Sequence, residues 1–85
     1  MPVVVTREAA KAVVLAELNR QASEPKAWAE THLLCAIEAI RRGDYDIALN
    51  HISTLRRGPT LEEEAMRPSR PLHTRERLRR MLEAL

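Results

Sequence analysis

His32 and Cys35 stand three residues apart in the stretch between Pro25 and Gly43, which holds no other Gly or Pro. A helix there puts an imidazole and a thiol on one face. Such a pair suits two chemistries. As metal ligands they would need two more donors, and only His51 and His73 remain as nitrogen or sulfur donors of the usual kind. The closely paired Cys-x-x-Cys and His-x-x-x-His spacings are absent. As nucleophile and base they would need a cleft and an oxyanion hole. A helix interior with no glycine-rich loop beside it supplies neither. The rest of that face is apolar (Trp28, Ala29, Leu33, Ala36, Ile37, Ala39 and Ile40), and a free cysteine in such a setting behaves as a small hydrophobe. Both residues therefore read as core. No catalytic residue, metal ligand or cofactor is expected.

The second feature with chemical potential is arginine. From Met1 to Glu64 there are 8 Lys/Arg against 10 Asp/Glu, and from Ala65 to Leu85 there are 6 Arg against 2 Glu. The overall charge of +2 thus conceals a basic C-terminal quarter carrying Arg67, Arg70, Arg75, Arg77, Arg79 and Arg80. Guanidinium groups bind phosphate and carboxylate bidentately, so a small nucleic-acid-associated regulator is the alternative reading. Glu76 and Glu83 lie among these arginines, and the segment has no aromatic residue on which a base could stack.

These side chains need elements to hold them. The chain has 85 residues, 45% of them apolar and only 2% aromatic, with 2 Gly and 5 Pro. Sandwiches and barrels draw on aromatic residues and glycine turns, so helices are expected throughout. Thr6 can cap a first helix to about Ala22. Its Ala9, Ala12, Val13 and Ala16 lie on one side and Ala10, Val14, Leu15 and Leu18 on the other, a pattern that asks for cover on both sides. Ser23 is placed to cap a second helix that ends at Gly43. Glu30, Thr31, Glu38 and Arg41 form its polar face, with Leu34 the one apolar residue among them. Tyr45 to Arg57 predicts a third helix. Thr60 and Glu63 form a capping box that opens a short one. Arg67 to His73, with two prolines, reads as a flexible linker, and Thr74 caps a last amphipathic helix with a Leu78, Met81, Leu82 and Leu85 stripe.

Gly43-Asp44-Tyr45-Asp46-Ile47-Ala48-Leu49 resembles the turn of a tetratricopeptide repeat. That family joins two antiparallel helices through a glycine turn, a tyrosine and a small alanine. Ala36 stands where its first helix carries a small residue, and Ile52 where its second carries a large apolar one. Trp28 lies one turn early, Leu55 replaces an alanine and Pro59 falls one residue short of the family's closing proline. The resemblance covers about residues 28–59, a single repeat, whereas about three are needed to bury a repeat's faces. It implies a groove for a protein partner and no catalytic residue. The stretch is also similar to helical nucleotide-binding HEPN domains, whose Arg and His stand closer together than Arg42 and His51 do here.

The expected fold is all-α, a small helical bundle with a central repeat-like antiparallel hairpin, forming one domain over residues 1–85. The expected function is a non-enzymatic protein-interaction, adaptor or regulatory module that is oligomeric or binds a protein partner. Candidate partner-binding residues are Leu34, Leu78, Met81, Leu82, Leu85, Arg75 and Arg79. No run of about 18 apolar residues offers a membrane span. Met-Pro-Val-Val-Val-Thr has no basic region or cleavage site of a secretory signal. With a lone cysteine, these features lead to the expectation of a cytoplasmic protein.

Overall fold

A computed structural model describes residues 4–85. Within them are five helices and no strand: α1 (Arg7–Arg20), α2 (Ala27–Arg42), α3 (Tyr45–Arg57), α4 (Leu61–Glu64) and α5 (Arg75–Glu83). The all-α bundle expected from composition is the fold. Val3 of the Val3-Val4-Val5 run lies outside the described residues.

Local chemistry sets most of the boundaries. The Thr6 hydroxyl accepts the Ala9 N–H at 3.1 Å and starts α1. Thr74 does the same for α5 by accepting the Arg77 N–H. Thr60 and Glu63 complete the capping box of α4 in both directions. The start of α2 differs from expectation. It begins four residues after Ser23, behind Lys26, which makes no side-chain cap. Pro25 disfavours helical backbone at Glu24, so the helix cannot begin at Ser23. The Ser23 carbonyl instead accepts the Arg75 N–H at 2.9 Å.

Gly43 makes the α2–α3 reversal. Its φ of 86° is left-handed, where a side chain is strained. The Asp44 N–H reaches the Ala39 carbonyl at 2.8 Å and the Gly43 N–H reaches Ile40 at 3.0 Å. These two bonds satisfy carbonyls that the helix end leaves open. Two turn residues leave α3 no route except back along α2, and these two helices form the most extensive pair in the bundle.

One core holds the four longer helices. α1 gives Ala10, Val14 and Leu18 at four-residue spacing. α2 gives Leu33, Ala36, Ile37 and Ile40 among others, and α3 gives Ala48, Ile52 and Leu55. Leu78 and Leu82 of α5 are 0% and 1% exposed. The second side of α1 is not covered: Ala9, Ala12 and Ala16 are exposed, and Val13 and Leu15 are half-buried. Alanine exposes too little apolar surface to require a cover. Trp28 packs against the core, and its indole N–H is buried without a hydrogen-bond partner among the described residues, a local cost the packing must offset.

Candidate functional site

The three histidines are the residues most able to do chemistry, and the fold uses all of them. His32 on α2 faces His51 on α3 across the hairpin, with their Nδ1 atoms 3.2 Å apart and ring centroids 5.5 Å apart. His32 Nε2 lies 2.7 Å from Glu63 Oε2. The other Glu63 oxygen accepts the Thr60 N–H at 3.1 Å, so one carboxylate closes the α4 cap and holds the α2 imidazole. The Thr60 N–H, then the hydrogen bond from His32, keeps the Glu63 carboxyl below the usual carboxylate range. Burial, then the fields of His32 and Arg42, pushes the His51 imidazole below an ordinary histidine. The expectation that His32 is simply a core residue was incomplete. Glu63 and His51 lie 31 and 19 residues away, and the sequence signal was limited to the capping box.

Both His32 nitrogens are engaged, and no hydrogen bond links Cys35 to an imidazole among the described residues. No group of three or more His, Cys, Asp or Glu side chains there converges as metal ligands.

His73 belongs to a second polar centre. Glu30, assigned to the polar face of α2, is 1% exposed. Arg70 grips it with Nη1 at 3.0 Å and Nη2 at 2.8 Å. The His73 N–H donates at 2.6 Å, and His73 Nδ1 lies 3.1 Å away. Burial alone would raise the Glu30 carboxyl, but the hydrogen bonds from Arg70 and His73 and the Arg70 charge outweigh it and hold it low. Residues 67–73 are therefore not a free linker. Arg70 and His73 strap the segment onto α2, and a bidentate guanidinium fixes its direction as well as its position.

The candidate partner-binding residues separate into four groups. Leu78 and Leu82 are taken up by the chain's own core, which corrects their assignment to a partner: α5 lays its stripe on α1 and α2. Met81 and Leu85 are half-buried beside it. The two arginines serve the chain itself. Arg75 Nη1 donates to the Gln21 carbonyl at 2.7 Å, and Arg79 pairs with Glu76 and Glu83. With Arg70 on Glu30 and Arg80 beside Glu76, four of the six C-terminal guanidiniums meet carboxylates or a carbonyl of the chain itself.

Leu34 is half-buried against the core, as Met81 and Leu85 are. It lines a shallow groove of about 300 Å³ between α2 and α3, with Cys35, Glu38, Arg42 and His51. Glu38 is paired with Arg41 at 2.6 Å and Arg42 with Asp44 at 3.2 Å, so the rim charges are already matched. Ile47, one turn before His51, is 44% exposed. A second groove of about 320 Å³ runs between α1 and α5 over Ala12, Leu15 and Leu82. It shares no lining residue with the first, so Leu34 and the α5 stripe do not form one patch.

No family model, curated protein or solved structure matches the chain. No helix among the described residues is long and apolar enough to cross a membrane.

Proposed function

We propose that the protein is a non-enzymatic interaction module that binds a protein partner, or a second copy of itself, through the α2–α3 groove around Leu34. One observation carries this reading. Leu34, half-buried against the core, lines an apolar groove with a self-paired charged rim, while Leu78 and Leu82 are buried in the core. The polar groups that could do chemistry are bound to one another, which suits a scaffold better than a catalyst. The groove lies on a helical hairpin with Gly43, Tyr45 and Ala48 at its turn, the residues that carry the tetratricopeptide resemblance. An apolar centre with a charged rim is the common anatomy of a docking site. The nucleic-acid reading has less support, because most of the C-terminal arginines are engaged within the chain.

The test compares wild type with Leu34→Glu by sedimentation equilibrium and by pull-down from the native host, with circular dichroism as the folding control. Self-association, or a discrete bound protein, that Leu34→Glu loses while staying folded supports the proposal. A wild type that is monomeric at every concentration and retains nothing beyond what Leu34→Glu retains overturns it.

A further inference from the structure

We infer that the His32–His51 contact is a proton-operated latch on the α2–α3–α4 junction, closed while at most one of the two imidazoles is cationic and open when both are.

Two ring nitrogens 3.2 Å apart attract only when one carries a hydrogen and the other a lone pair. His32 Nε2 faces a carboxylate oxygen at 2.7 Å, so that nitrogen carries a hydrogen. When His32 is neutral, its Nδ1 is therefore a lone pair, and His51 donates to it. When His32 is protonated, it donates from both nitrogens, to Glu63 and to His51. The contact survives in either state. A proton on His51 as well sets N–H against N–H, and the contact must break.

The charged surroundings decide which ring leaves. From α4, the Glu63 carboxylate holds a cation on His32 in place. From α2, Arg42 opposes a cation on His51, and Asp44 of the turn only partly offsets Arg42 at 3.2 Å. Glu38 and the Cys35 thiol, also from α2, line the groove with His51. Among the described residues no hydrogen bond or ion pair joins either ring to α1 or α5. His51 is thus the ring that moves, and the space beside it is the groove. Opening changes the shape of that groove and leaves the His32–Glu63 bond to α4 in place. The latch acts in the free chain, whether or not a partner docks there.

A histidine ring nitrogen NMR titration of the full chain from pH 8 to 5 tests this. In the neutral state His32 is expected as the Nε2–H tautomer and His51 as the Nδ1–H tautomer. His51 should titrate below an ordinary histidine, and the nuclear Overhauser contacts between the His32 and His51 rings should vanish as it does. Contacts that persist with both rings protonated overturn the latch, as does the opposite tautomer on His32. A second readout is Tm against pH for wild type and His51→Asn, whose side-chain amide offers a donor and an acceptor near the Nδ1 position at any pH. The fall in Tm between about pH 6.5 and pH 5 should be steeper in wild type. Parallel curves overturn the proposal. Should His51→Asn not fold, the wild-type titration alone decides.

Discussion

Replacing Glu30 with Gln probes the strap that closes the bundle. The carboxylate is 1% exposed and meets two Arg70 nitrogens, the His73 N–H and His73 Nδ1. Glutamine keeps the volume but loses the charge, and it turns one acceptor into a donor that faces a guanidinium or a backbone N–H. Removing one member of a buried ion pair costs about 3–5 kcal/mol when the other is stranded. Arg70 is half-exposed and can return to water, so the expected loss is smaller, about 2–3 kcal/mol. For a domain of this length, 1 kcal/mol moves Tm by about 4–8 °C, so the melt should fall by roughly 10–20 °C at pH 7. Thermal circular dichroism measures it. The pH dependence supplies a second check. The Glu30 carboxyl is held below its ordinary value, so its stabilisation is fully present above the unfolded value. It is lost as pH falls through the folded one. The gap between wild type and Glu30→Gln should be complete at pH 7 and narrow below about pH 4.5. A Tm within 2 or 3 °C of wild type at pH 7, as a rough threshold on the same scale, would refute the claim that the carboxylate fastens residues 67–73.

Three further substitutions examine other joints. Leu78→Ala removes a fully buried side chain of α5 and should cost about 2–5 kcal/mol in urea denaturation; a loss under about 1 kcal/mol would mean that α5 does not dock on its own bundle in solution. Ala48→Leu pushes a larger side chain into the α2–α3 contact, where Ala48 is 0% exposed, and should cost about 1–3 kcal/mol; an unchanged Tm would count against the close approach of the two helices. Gly43→Ala meets no atom within 4 Å of the added carbon, so its cost is the left-handed backbone alone, about 1–2 kcal/mol, and Gly43→Asn should lose less because asparagine tolerates that conformation. Equal losses for Ala and Asn in thermal melts would place the strain elsewhere.

What the sequence made legible was local. Tyr45 to Arg57, the Gly43 reversal, the Thr60–Glu63 box and the Thr6 and Thr74 caps could all be read because each depends on residues within a turn or two of one another. Ser23 misled because the proline two residues on overrode a good capping residue. Glu30 looked like a solvated residue because its partners, Arg70 and His73, are 40 and 43 residues away. The same distance problem hides the meeting of His32, His51 and Glu63, although the sequence places each of them on a helix. The α5 stripe suited either the chain's own core or another chain, and only the packing of Leu78 and Leu82 against α1 and α2 distinguishes the two. Leu34 was legible for the opposite reason, since an apolar residue among Glu30, Thr31, Glu38 and Arg41 stands out without any tertiary information.

The central claim is that the α2–α3 groove docks a protein. A photo-crosslinking amino acid placed at Leu34 and activated in living cells tests it most directly, with the same group at the exposed Ala16 of α1 as the control. A discrete crosslinked species from position 34, absent from position 16, is the predicted result. Only uncrosslinked chain at position 34, or the same products from both positions, would contradict it.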